Sequence, residues 1–226
     1  MFYLDPTMII LIPAVIITFW AQSKVNSAYT KYSKVRTMNG YSGQQVARMI
    51  LDEAGLWDVK IEMVNTKLGD HYDPSSRVLR LSPEVHSGAT IAAAGIAAHE
   101  VGHAIQHKEQ YKPLVIRNSI VPVVNFSSNI SWILFILGIF LGFKGLVTLG
   151  IVLFSAAVIF QLVTLPVEFN ASNRALDILK SRGILYADEV KGAGKVLDAA
   201  AMTYVAAALM AISQLIRLIA ISNRDN

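Results

Sequence analysis

The sequence contains no cysteine among its 226 residues. Disulfide bonds and zinc sites built from thiolates are therefore excluded, and any bound metal must be held by histidine and carboxylate side chains. Charged residues are scarce, at 16% of the chain, whereas hydrophobic residues make up 54% and the mean hydropathy is +0.46. This balance is too apolar for an ordinary soluble domain and indicates a membrane protein.

The sequence also lacks a basic stripe, an internal repeat and a low-complexity tract. Its net charge is only +4, and the lysines and arginines are spread among apolar segments. Nucleic-acid binding proteins gather their basic residues on one face or along one helix. We therefore expect a lipid bilayer as partner and no nucleic acid.

Four apolar runs predict transmembrane helices. They lie near residues 7–22, 120–143, 146–165 and 199–221, with a tight turn at Lys144-Gly145 between the second and third. No basic residue precedes the first run and no clear cleavage site follows it, so we interpret it as an uncleaved anchor. Basic residues cluster directly after it, which by the positive-inside rule assigns residues 24–118 and 166–196 to a cytoplasmic core. We expect one multi-pass domain, residues 1–226, in the cell membrane.

The predicted core contains a short helix and two strands. Residues 42–54 carry an amphipathic pattern, with Ser42 and Gln45 in the positions of a capping box. Residues 59–64 and 78–81 alternate in polarity, which predicts a small antiparallel β ribbon. The fold class is therefore a mainly α integral membrane protein with a small antiparallel β ribbon.

The pattern His99-Glu100-x-x-His103 stands in the centre of an apolar, alanine-rich run. Two histidines four residues apart lie on one face of a helix and can hold one Zn²⁺ together. Glu100 lies about 100° around the helix from His99, where it can reach a metal-bound water without being a ligand. A buried run seldom carries such polar groups without a partner for each. We therefore interpret the pattern as a zinc site with Glu100 as general base.

The residues leave the third protein ligand open. Because cysteine is absent, the candidates are Asp70, His71, His107, Glu168 and the later carboxylates. His107 continues the four-residue spacing, but on a continuous helix it points about 80° away from His99. Asp70 and His71 fall in a predicted turn between the two strands, where a capping Asp and a surface His are common.

Three segments together resemble a known family. They are residues 70–74 (DHYDP), 97–106 (AAHEVGHAIQ) and 165–172 (LPVEFNAS). Over nearly its whole length the chain resembles the YugP-like neutral zinc metallopeptidases of bacterial membranes, and more distantly the HtpX and CAAX prenyl protease class of membrane gluzincins. The resemblance implies a zincin-like metallopeptidase core and a third ligand from a later helix, just past a transmembrane segment. The matching residue is Glu168.

The chain departs from these families at two positions after Glu168. The distant relatives have an aspartate where this chain has Ser172, and the closer family commonly has one where this chain has Asn170. Residues at both positions are expected to support the metal-binding side chains without binding the metal themselves. Candidates for that support, or for stabilising the oxyanion, are Ser172, His71, Tyr72 and Tyr204.

These observations predict a membrane-embedded zinc endopeptidase, with Zn²⁺ as cofactor and its active site facing the cytoplasm. Glu100 would take a proton from the attacking water and deliver it to the leaving amine. Membrane proteins or membrane-proximal segments are the expected substrates. The alternatives are a non-catalytic, zinc-stabilised scaffold or regulator, and a zinc carrier or sensor. Glu100 favours the enzyme over the scaffold, because a purely structural site needs no unliganded carboxylate there.

Overall fold

The computed structural model describes residues 5–224. Seven α helices lie within these residues: α1 Ile12–Tyr32, α2 Gly43–Glu53, α3 Pro83–Ser87, α4 Ile91–Lys108, α5 Lys112–Phe140, α6 Lys144–Ser181 and α7 Ala187–Arg224. A 3₁₀ helix, Pro6–Leu11, leads directly into α1. The three strands in the same part of the chain are β1 Lys60–Met63, β2 His71–Asp73 and β3 Val78–Leu81.

Four helical segments are long and apolar enough to cross a membrane. Their most apolar 18-residue windows have mean hydropathies between 1.8 and 2.5. The segments are Pro6–Tyr32, Lys112–Phe140, Lys144–Ser181 and Ala187–Asn223. Large apolar side chains on them are exposed, such as Phe19 at 74% and Phe140 at 85%, which suits lipid rather than water. The prediction of a mainly helical membrane protein with about four spanning helices is confirmed.

The chain divides into two compact units. The first takes the described parts of Met1–Gln22, Val115–Pro166 and Thr203–Asn226, and the second takes Ser23–Leu114 and Val167–Met202. Within the first unit, the Arg217 side chain donates hydrogen bonds to Asp5 Oδ2 at 3.1 Å and to Thr7 Oγ1 at 3.3 Å. Arg217 therefore joins α7 to the 3₁₀ helix that precedes α1.

The turn between α5 and α6 lies three residues before the predicted one. Gly142 adopts a φ of +63°, in the left-handed region that favours glycine. Its N–H bonds to the Ile139 carbonyl, and the next N–H, of Phe143, bonds to the Gly138 carbonyl, which is a Schellman ending of α5. Lys144 then begins α6, so the prediction of a turn at Lys144-Gly145 is wrong.

Helix α4 forms the centre of the second unit. Its alanines are buried against α2, against the sheet and against parts of α6 and α7. Side chains of Leu51, Leu81 and Leu179 fill the space around it. Alanine leaves room for neighbouring backbones to approach, and this explains why a helix at the centre of the core is built from such small residues.

The small sheet has the strand order β1-β3-β2. β1 pairs with β3 in parallel, with Lys60 opposite Val78, and β2 pairs with β3 antiparallel, with His71 opposite Arg80. The predicted antiparallel pairing of residues 59–64 with 78–81 is therefore wrong, although both strands exist. The antiparallel partner of β3 is β2, whose three residues are too few to show an alternating pattern in the sequence.

Two helices continue where the sequence suggested boundaries. Pro166 does not start a new helix but lies inside α6, which runs unbroken from the apolar run through Glu168 to Ser181. Helix α7 likewise joins the predicted helix at Asp188 and the fourth apolar run. Proline is tolerated inside helices of membrane proteins because neighbouring groups satisfy the freed carbonyl. The capping box of α2, by contrast, is present as predicted: the Ser42 and Gln45 side chains bond each other's backbone N–H.

Candidate metal centre

Helix α4 carries both histidines of the motif toward one point. It begins after Thr90, whose hydroxyl accepts a hydrogen bond from the Ala93 N–H. The rings of His99 and His103 follow one another by one helical turn, with centroids 4.7 Å apart and planes nearly perpendicular. Both side chains are mostly buried, at 14% and 13% exposed.

Glu168 of α6 completes a cluster with the two histidines. Its Oε2 lies 3.3 Å from His99 Nε2 and 3.6 Å from His103 Nε2, and its side chain is 5% exposed. A glycine lets α6 come this close, because a Cβ at Gly102 would lie 2.9 Å from the Ala171 carbonyl oxygen. Of the residues described, these three form the His, Asp and Glu group whose donor atoms lie within 4.8 Å of one another.

The donor set fits a zinc ion. Ligands of a tetrahedral Zn²⁺ at roughly 2.0–2.2 Å lie about 3.4 Å from one another. The separations of 3.3 and 3.6 Å between Glu168 Oε2 and the two Nε2 atoms match that spacing. Two imidazoles and one carboxylate are a known ligand set for catalytic zinc, which leaves a further coordination position open.

Gln106 sets the protonation of one histidine. This fully buried side chain donates from Nε2 to the Val167 carbonyl at 2.8 Å and to Asn170 Oδ1 at 2.9 Å. A carbonyl can only accept, so Gln106 Nε2 must face it and Gln106 Oε1 must face His103 Nδ1, 3.0 Å away. His103 Nδ1 therefore carries the proton, and its Nε2 presents a lone pair to the centre.

Sequence reasoning missed Gln106. The available signal was its spacing, because a residue three after His103 lies beside it on the helix surface. A glutamine whose side chain is buried also needs polar partners. Those partners are 61 and 64 residues away in sequence, at Val167 and Asn170, and nothing local indicates them.

The support of His103 extends to the surface of the second unit. Asn170 Oδ1 accepts a second hydrogen bond, from Arg174 Nε at 2.8 Å. The Arg174 guanidinium in turn pairs with Glu109 Oε2 at 2.7 Å, and the Glu109 side chain is 51% exposed. The Glu109–Arg174 ion pair is therefore connected to His103 Nδ1 through Asn170 and Gln106.

Ser172 supports the other histidine. Its Oγ lies 3.1 Å from His99 Nδ1, one helical turn beyond Glu168 on α6. A hydroxyl can accept the Nδ1–H, which leaves His99 Nε2 free to bind a metal. Ser172, one of the residues predicted to support the metal ligands, therefore contacts the His99 ring directly.

Glu100 is buried next to His99, at 9% exposed. Burial lowers the pKa of His103, but the contact with Glu168 and the charge of Glu100 outweigh it, so this pKa is raised. Burial also raises the pKa of Asp70, against the hydrogen bonds from Ser82, and the charge of Glu100 raises it further. The negative charge of Glu100 thus raises the pKa of both His103 and Asp70.

The remaining candidates occupy other positions. Asp70 accepts from the backbone N–H and hydroxyl of Ser82, at 2.7 to 3.1 Å, and so fixes the chain between β3 and α3. His71 is exposed, with Nδ1 2.8 Å from the Gly69 carbonyl. Tyr72 Oη lies 2.9 Å from His107 Nδ1, which joins β2 to α4. Tyr204 lies on α7, in the first unit.

Comparisons with known proteins support zinc as the metal. A family model described as "Putative neutral zinc metallopeptidase" matches residues 7–223. The chain is 54% identical over 210 residues to the "Putative membrane protease YugP" of Bacillus subtilis strain 168, and the match covers 93% of each chain. No solved structure matches.

Proposed function

The chain belongs to the neutral zinc metallopeptidase family, and from this premise we propose that it is a membrane-embedded endopeptidase whose Zn²⁺ is held by His99, His103 and Glu168. The observation that carries the proposal is the spacing of the three donor atoms. The Nε2 atoms of His99 and His103 lie 3.3 and 3.6 Å from Glu168 Oε2, and the Nδ1 atom of each ring has a hydrogen-bond partner. A cluster of that geometry is suited to one small divalent cation.

Glu100 carries the proton in this proposal. Zinc, when bound, supplies Lewis acidity that brings the pKa of a water toward about 7 and polarises the peptide carbonyl. The Glu100 carboxylate accepts the proton released by the attacking water and returns it to the nitrogen of the departing amine. The Glu100 side chain is 9% exposed, which limits its contact with bulk water, and Glu100 is adjacent in sequence to the proposed ligand His99.

Membrane proteins and membrane-proximal segments are the proposed substrates. Glu168 follows Pro166, where the apolar run of α6 ends, and His103 precedes the apolar run of α5. The active site would thus lie at the edge of the bilayer. Basic residues next to the runs, among them Lys24, Arg36 and Arg182, favour a cytoplasmic location for residues 24–118 and 166–196.

A conservative variant tests the catalytic step. Glu100→Gln keeps the size of the side chain but cannot accept the proton, so it should retain zinc and lose hydrolysis by a factor of about 100 or more. Zinc content by elemental analysis and cleavage of an unfolded protein substrate are measured on the same purified sample. Glu84→Gln, on the exposed face of α3, is the matched control and should change neither quantity.

The same variant separates the enzyme from the alternative. If the zinc only stabilises the fold, Glu100→Gln should retain zinc, and the cleavage measured for the variant should equal that measured for wild type. Comparing membrane-protein fragments in cells that carry wild type or Glu100→Gln would then reveal no difference. Fragments that disappear in the variant would identify the substrates.

A further inference from the structure

Helix α5 carries a narrow polar stripe on its exposed side. At 100° per residue, Asn118, Asn125 and Asn129 point within about 40° of one another, and Pro122 lies in the same stripe. All four residues are exposed, whereas Ser127, on the other side of the helix, is buried. The neighbours around the stripe are apolar and exposed, such as Phe126 at 66%.

These polar groups lie in α5, one of the four helical segments that are long and apolar enough to cross a membrane. The Asn125 carboxamide has no hydrogen-bond partner among the interactions of residues 5–224. Asn129 Nδ2 donates back to the Asn125 carbonyl at 3.1 Å, which leaves its Oδ1 available as an acceptor. Pro122 has no N–H to offer the Asn118 carbonyl, one turn before it. Lipid satisfies none of these groups, so they require a polar partner within the membrane.

The spacing of the exposed residues is that of a helix-packing seam. Asn118, Pro122, Asn125, Asn129, Trp132 and Ile136 are separated by four, three, four, three and four residues, and all six are exposed. This alternation repeats every seven residues and is the pattern of two helices that pack along their length with a left-handed twist.

We propose that the seam formed by these six residues packs against the same seam on α5 of a second copy of the chain. Two copies insert in the same orientation, so their two-fold axis runs along the membrane normal and each residue meets its own equivalent at the same depth. A carboxamide both donates and accepts, so Asn125 and Asn129 are complementary to themselves. A different helix would need polar groups at the membrane depths of both Asn125 and Asn129. The inference depends on α5 spanning the membrane and is independent of the metal site.

The absence of cysteine permits a direct test by cross-linking. Asn125→Cys and Asn129→Cys each introduce a unique thiol into the full-length chain in native membranes. Under mild oxidation both should form disulfide-linked dimers, because such a bond needs Cα atoms within about 7 Å. Phe126→Cys is the matched control, since it is equally exposed to lipid but lies about 100° or 60° around the helix, and it should stay monomeric.

A second measurement removes the polar groups. In lipid vesicles at decreasing protein density, the Asn125→Leu/Asn129→Leu variant should dissociate at about tenfold higher density than wild type, taking roughly threefold for each lost interhelical pair. Zinc content should be unchanged. Equal association of wild type and the leucine variant, or cross-linking at Phe126→Cys as fast as at Asn125→Cys, would overturn the proposal. Cross-linking of Asn125→Cys to another protein instead of itself would overturn the second copy as the occupant.

Discussion

Replacing Gln106 by leucine should loosen zinc without touching a metal ligand. Leucine has a similar volume, so the core of the second unit keeps its packing while three hydrogen bonds, to His103, Val167 and Asn170, disappear. His103 then loses the partner that holds its proton on Nδ1, and the imidazole can turn or change tautomer. Loss of such an outer partner typically weakens metal binding by about 10- to 100-fold.

The same change should lower the free energy of unfolding of the metal-free protein. Each lost hydrogen bond costs about 1 kcal/mol, and a buried group left without a partner costs about 1–3 kcal/mol. The sum is about 3 kcal/mol or more, because Gln106 is fully buried and the Val167 carbonyl it contacts belongs to a buried residue. Gln44→Leu, on the exposed side of α2, is the matched control and should shift neither quantity by more than about 0.5 kcal/mol.

Gln106→Glu separates the two functions of the side chain. One carboxylate oxygen can still accept from His103 Nδ1, but the other now faces the Val167 carbonyl, so acceptor opposes acceptor. This variant should preserve the His103 tautomer, seen in the nitrogen NMR shifts of the ring, while losing stability. Zinc titration against a competing chelator measures the affinity of all three proteins. The reasoning is refuted if Gln106→Leu binds zinc within about twofold of wild type and keeps the same ring tautomer.

Three further predictions concern the site and the topology. Glu168→Ala should release zinc and abolish cleavage, while His107→Ala and His71→Ala should keep most of the metal. If Glu168→Ala keeps its full zinc content and one of the histidine variants loses zinc, that histidine is the ligand instead. Gly102→Ala should push α6 away from α4, since the added Cβ meets a backbone oxygen at 2.9 Å, and should lower both zinc occupancy and the melting temperature. Ser75→Cys should resist a membrane-impermeant thiol reagent in intact cells and react after lysis; labelling from outside would reverse the proposed orientation.

Local patterns in the sequence predicted the features that depend on neighbours along the chain. The apolar runs, the capping box at Ser42 and the helical spacing of His99 and His103 are all of this kind, because helix periodicity places those residues without tertiary information. Position 168 needed the family resemblance. It is separated from His103 by α5 and by the apolar first part of α6, and no periodicity relates the positions of His103 and Glu168.

The features that the sequence did not reveal depend on distant pairing. Strand β2 has three residues, and its place beside β3 is set by tertiary contacts, so no alternation shows it. Pro166 suggested a helix start, yet the surrounding structure tolerates it inside α6. In the sequence, Gln106 resembles an ordinary polar residue near a helix end. Only the structure shows that its side chain donates a hydrogen bond to the Val167 carbonyl.

The hydrogen bonds of Asn170 constrain the residue type at position 170 less than those of Gln106 constrain the residue type at position 106. Both hydrogen bonds of the Asn170 side chain, from Gln106 and from Arg174, end on Oδ1. An aspartate offers the same oxygen and adds a charge opposite Arg174, so we expect Asn170→Asp to leave His103 undisturbed. Position 106 has no such freedom, because it must present an acceptor on one side and a donor on the other. Across descendants of this chain, we expect glutamine to persist at 106 while 170 alternates between asparagine and aspartate.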